Sequence, residues 1–112
     1  MANKSLSTTF TDPVRERLSA LGERVRLARL RRQLRQEDLA ERTGFSRSTI
    51  VAIERGEPTT AIGAYVQTLW VLGLDRELDL VADVGLDREG LALEYVPGER
   101  RVRPRKIVDN DF

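Results

Sequence analysis

QEDLAERTGFSRSTIVAIERG, residues 36–56, is the stretch that decides how this 112-residue chain folds. It divides at Gly44. Before the glycine, Leu39 and Ala40 turn inward on a helix over residues 36–43, while Glu37 and Asp38 occupy its first turn, where the helix dipole favours negative charge. Ala40 is small, which lets a second helix come close. Gly44 lacks a Cβ and so accepts the left-handed backbone that a tight reversal between helices needs. Ser46 then caps a helix over residues 47–55, in which Ile50 and Ile53 face the core and Arg47, Ser48, Val51 and Ala52 face outward. Gly56, followed by Glu57 and Pro58, stops that helix.

Upstream, Val14, Leu18, Leu21, Val25 and Ala28 recur at spacings of four and three, which predicts one apolar stripe on a long helix from Asp12-Pro13 to about residue 33. Gly22 interrupts this stripe and marks either a bend or a close helix contact. Downstream, Ile62, Tyr65, Val66, Leu69, Trp70 and Leu72 predict a helix over residues 61–72 capped by Thr60. A fifth helix is expected over residues 76–84. Residues 90–96 fit a short helix or a strand, with a slight preference for a helix opened by Asp87. The fold class is therefore all-α, four or five helices with a long first helix. Residues 12–96 are expected to form one domain between a disordered Ser-, Thr- and Asn-rich lead (1–11) and a flexible basic tail (97–112).

Composition narrows the function. The chain has no Cys and no His, and Met1 is its single methionine, so thiolate chemistry, imidazole catalysis and most zinc sites have no residues to use. We expect no enzyme, no metal and no cofactor. No apolar run reaches the ~18 residues of a transmembrane helix, and the first residues do not read as a signal peptide, so a cytoplasmic protein is expected. The net charge of +1 conceals an asymmetry: residues 15–55 hold eleven Arg against six acids, and residues 56–95 hold two Arg against eight acids. The basic part suits phosphate and the acidic part a different partner. Arg100, Arg101, Arg103, Arg105 and Lys106 make the tail basic again.

With its flanking helices, about 60 residues in all, the stretch 36–56 resembles the Xre and phage-repressor class of helix-turn-helix proteins. An ordinary helical hairpin would also want Ala40, Gly44 and the two isoleucines. Gln36, the run Ser46-Arg47-Ser48-Thr49 and the ending Glu54-Arg55-Gly56 add the specificity. The resemblance implies that the helix over 47–55 enters the DNA major groove, with Ser46, Arg47 and Ser48 at its exposed start. Arg47 would either pair with guanine O6 and N7 or hold a phosphate. Ala52 matches a base-reading position but offers only contact with a thymine methyl. Gln36 matches a phosphate anchor at the start of its helix, and Thr49 and Arg55 look like further phosphate contacts, with plain solvation the competing use of either. Arg29 and Glu54 match a structural ion pair that fixes the recognition helix. Arg35 departs from the class, standing where Ser or Thr usually caps; it forgoes that cap or replaces it with a phosphate contact.

Residues 58–65, 69–74, 87–94 and 101–103 look like HipB-type antitoxins, repressors whose partner is a HipA-type serine/threonine kinase toxin. That resemblance implies a double task, repressing the shared operon and restraining the kinase. The alternative is a free-standing repressor. Either way a homodimer on a palindromic operator is expected, because one recognition helix reads too few base pairs. Leu69, Trp70 and Leu72 are the candidates for the dimer contact, with core burial of Trp70 the competing use.

Overall fold

A computed structural model describes residues 9–94. All of the expected tail at 97–112, most of the expected lead at 1–11, and the last two residues of 90–96 lie outside the described residues. Every regular element among the described residues is helical: α1 (Asp12–Arg31), α2 (Gln36–Thr43), α3 (Arg47–Arg55), α4 (Ile62–Val71), two 3₁₀ segments (Asp75–Leu80 and Val84–Leu86) and α5 (Arg88–Glu94). The described residues fall into two compact units that divide between Glu77 and Leu78, inside the segment expected as one domain.

In the first unit, α1 packs chiefly on α3, α3 on α2, and α2 on α4. α1 begins at the expected Asp12-Pro13, with Thr11 as its cap: Thr11 Oγ1 accepts the Val14 N–H at 3.4 Å and leaves Asp12 inside the first turn. At its other end Gln33 takes φ 58°, so that the Leu34 N–H reaches back to the Arg29 carbonyl at 3.2 Å and turns the chain into α2. Gly44, at φ 84°, ends α2 and donates its N–H to the Ala40 carbonyl at 2.9 Å. Thr43 tightens this reversal, its buried hydroxyl donating to the Leu39 carbonyl and accepting the Phe45 N–H. Ser46 caps α3 as expected, with Oγ accepting the Thr49 N–H at 3.2 Å.

Val25, Leu39, Ile50 and Ile53 are fully enclosed, and Tyr65, Leu69 and Leu72 from α4 and its end complete the core. The α1 stripe is buried at Val25 and Ala28, half-buried at Leu18 and Leu21, and exposed at Val14. Gly22 serves a close helix contact: a Cβ there would lie 2.5 Å from the Glu54 carbonyl oxygen and 2.6 Å from that of Ile53. Gly56 answers it from α3, since a Cβ on it would run into the Leu18 backbone.

α4 starts at Ile62, later than expected, with Ala61 and not Thr60 at its cap. Thr60 is held in the preceding turn by its N–H to the Glu57 carbonyl at 3.2 Å. Tyr65 spans the same loop, donating its hydroxyl to the Glu57 carbonyl at 2.9 Å, and burial pushes its pKa up to about 12.

The fifth helix expected over 76–84 is instead broken 3₁₀ structure. Ala82 takes φ 59°, which no helix continues through, and the Asp83 carboxylate starts a new turn by accepting the Gly85 N–H at 3.0 Å. The helical preference for 90–96 holds as far as residue 94: α5 follows Asp87, whose Oδ1 accepts the Gly90 N–H at 2.9 Å. No residue from 78 to 94 is buried, and Leu80, Val81, Val84, Leu86 and Leu93 are each more than 60% exposed.

Candidate nucleic-acid interface

A buried polar cluster ties α1, α2 and α3 together. Arg29 faces Glu54 with two parallel bonds, Nε to Oε2 at 2.6 Å and Nη2 to Oε1 at 3.0 Å. Their side chains are only 8% and 4% exposed, so the pair is desolvated and each charge depends on the other. The third guanidinium nitrogen, Nη1, donates to the Leu34 carbonyl at 2.8 Å and so holds the turn between α1 and α2. Gln36 joins from the first position of α2, its Nε2 donating to Glu54 Oε1 at 3.0 Å. Spacing on single helices gave no sign of this last bond, because its partners lie eighteen residues apart on two helices.

The pair fixes the C-terminal end of α3, and the reversal at Gly44 presents the other end. There Ser46, Arg47 and Ser48 are exposed and Thr49 is half-buried. Ser46 Oγ lies 3.0 Å from both Ser48 Oγ and Thr49 Oγ1, so three hydroxyls share one small patch. The first turn of α3 contains no acid, which leaves the positive end of its dipole uncancelled by its own side chains. Among the described residues the side chains of Arg47 and Arg55 make no hydrogen bond or ion pair, and both residues are exposed. Ala52 is half-buried on the same short helix. This end offers hydroxyl donors, a free guanidinium and a helix terminus, the chemistry that an anion meets best.

Arg35 replaces the missing cap in a way the sequence reading did not foresee. Its side chain is a donor and cannot cap; instead Asp38 reaches back, Oδ2 accepting the Arg35 N–H at 2.8 Å, while the guanidinium bonds Asp38 Oδ1 at 3.0 Å. The Asp38 carboxyl is held down at about 2 by these bonds, and the Arg35 guanidinium is raised in turn. The signal was present as an acid three residues after Arg35. The guanidinium is thus occupied in the free protein, although its side chain remains 74% exposed.

The three dimer candidates part company. Leu69 and Leu72 are 8% and 3% exposed, their surface already enclosed by the core, so neither is available to a second copy. Trp70 is 63% exposed, which excludes its use in this core. With Ile62 at 77% and Val66 half-buried, it forms an i, i+4, i+8 stripe along α4.

A short helix pair joined by a glycine reversal, with its second helix locked at one end and bare at the other, defines a helix-turn-helix unit. Residues 20–81 match the helix-turn-helix domain family. The chain is also 36% identical over 81 residues to the Uncharacterized HTH-type transcriptional regulator y4mF of Sinorhizobium fredii, a match covering 72% of this chain and 86% of that relative. The chain belongs to the helix-turn-helix domain family. Among the described residues no helix is long and apolar enough to cross a membrane.

Proposed function

We propose that this helix-turn-helix protein, a DNA-binding transcriptional regulator, works as a dimeric repressor that inserts α3 into the major groove of a palindromic operator. One observation carries the reading: the buried Arg29–Glu54 pair locks α3 at its C-terminal end, while its acid-free N-terminal end projects Ser46, Arg47 and Ser48 into solvent. Arg47 and Ser48 read base edges, Ala52 meets a thymine methyl, and Gln36, Ser46, Thr49 and Arg55 hold phosphates. Arg35 adds a phosphate contact when it exchanges Asp38 for DNA. Two copies meeting through the Trp70 stripe would read half-sites ~34 Å apart. Footprinting on the promoter of this chain's own gene tests the reading. Protection of two symmetric half-sites supports it, and no protection by folded protein refutes it. Trp70→Ser should lower operator affinity and shift sedimentation toward the monomer.

The finer role we propose is that of a HipB-like antitoxin, which represses its own operon and neutralises a HipA-like serine/threonine kinase in the bacterial cytoplasm. The acidic residues from Asp75 onward, with their exposed leucines and valines, suit a protein partner better than DNA. Co-purification with the product of the neighbouring gene tests this role, and failure to bind it would refute the antitoxin reading while leaving the repressor intact. A free-standing regulator is the second reading, favoured by the relative's description as a transcriptional regulator.

A further inference from the structure

We infer that Glu54 is a positioning residue for DNA that acts through Gln36, beyond its part in locking α3; the inference rests on the DNA-binding reading above. The carboxylate of Glu54 only accepts hydrogen bonds, so it dictates which end of the Gln36 amide faces it. Nε2 must turn inward, as it does at 3.0 Å from Oε1, because the reversed amide would set oxygen against oxygen. One Nε2 hydrogen is thereby consumed and the direction of the second is fixed by the planar amide. Gln36 is the first residue of α2 and half-buried, so its side chain is anchored on one side and open on the other.

A phosphate oxygen that accepts the second Nε2 hydrogen makes a charge-assisted bond to a donor that no longer has to be ordered. Without Glu54 the same side chain turns either end outward, and the carbonyl end repels phosphate. A carboxylate behind a phosphate contact would ordinarily oppose binding. Here the bidentate bond from Arg29 cancels its charge, so the cluster lends direction without lending repulsion.

The test is a mutant cycle on the full chain, with a duplex selected by the wild-type protein from a random-sequence pool as the probe. Gln36→Met keeps the methylenes and the Arg29–Glu54 pair but removes both amide hydrogens. It should lower affinity for that duplex about tenfold, the scale of a hydrogen bond to a charged group, with little change in melting temperature. Glu54→Gln should weaken binding in the wild-type background and much less once residue 36 is methionine. Equal losses in both backgrounds, or a Gln36→Met protein that binds like the wild type, would overturn the inference. Should Glu54→Gln fail to fold, Gln36→Met still decides, together with the Gln36 side-chain amide resonances, which should show a slowly rotating, protected NH₂ in free wild-type protein. A folded wild type that selects no duplex would sink the DNA-binding reading itself, and this inference with it.

Discussion

Replacing Glu54 with alanine strips three hydrogen-bond donors of their acceptor at once, Arg29 Nε, Arg29 Nη2 and Gln36 Nε2. The guanidinium that remains is 8% exposed and keeps only its bond to the Leu34 carbonyl. Removing one partner of a buried pair typically costs ~3–5 kcal/mol, because the survivor is a charge without water or counter-charge. For a domain of this size each kcal/mol moves the melting temperature by ~4–8 °C, so Glu54→Ala should melt at least ~12 °C below the wild type. Thermal unfolding followed by circular dichroism measures this directly. High salt should rescue little of the loss, since a desolvated pair is poorly screened. The double variant Arg29→Met, Glu54→Leu should recover part of the stability, as apolar replacement of a buried pair is often neutral, but not all of it, because the Leu34 carbonyl loses its donor. A shift of under ~3 °C in Glu54→Ala would refute the reasoning, for it would mean that Arg29 escapes to solvent and that the pair does not hold α3.

Gly22→Ala should destabilise by about 3 kcal/mol in urea unfolding, since its Cβ would meet α3 carbonyls at 2.5 and 2.6 Å and backbone cannot rotate aside. Gly63→Ala, with nothing within 4 Å, is the control and should be neutral or stabilising by up to ~1 kcal/mol. Gln33→Gly should raise stability by ~1 kcal/mol by relieving a left-handed residue at φ 58°, and a loss there would show that the Gln33 side chain contributes more than its backbone costs. Asp38 carries a pKa depressed from 3.8 to about 2, so the stability it adds is present above pH 3.8 and disappears as pH falls toward 2. An NMR titration of its carboxyl should find the midpoint near the lower value, and a midpoint at 3.8 would show that Arg35 does not hold it in solution.

The helices around Gly44 were legible because several local signals agree on them. Ser46 caps, Gly44 and Gly56 take positive φ, and Leu39, Ile50 and Ile53 repeat at helical spacing, so propensity, turn chemistry and pattern point the same way. Residues 75–86 were not legible, because acids alternate there with leucine and valine in a pattern that suits a helix, yet no residue of 78–86 is buried. Without an enclosing surface, periodicity has little to reward, and the local turn held by the Asp83 carboxylate wins over the longer helix. The cap before α2 was hidden for a related reason. A missing cap was visible in sequence, but its replacement by the carboxylate of Asp38 depends on how the backbone enters α2.

The site followed the same division between local and distant information. Exposure of Arg47 and Ser48 follows from one helix's own geometry, whereas the meeting of Arg29, Gln36 and Glu54 requires three helices to be placed first. α4 shows where sequence pattern stops. Ile62, Tyr65, Val66, Leu69, Trp70 and Leu72 leave it apolar nearly all round, so periodicity alone cannot choose a buried face. The choice is made by contact: Tyr65, Thr68, Leu69 and Leu72 enter the core, and Ile62 and Trp70 are left outside. Thr68 is fully enclosed although polar because its hydroxyl donates to the Ala64 carbonyl at 2.9 Å, so α4 buries a threonine and exposes its tryptophan. An order set by hydrophobicity alone would be the reverse, and this inversion is why Trp70 is the residue of α4 to test first in a second copy's interface.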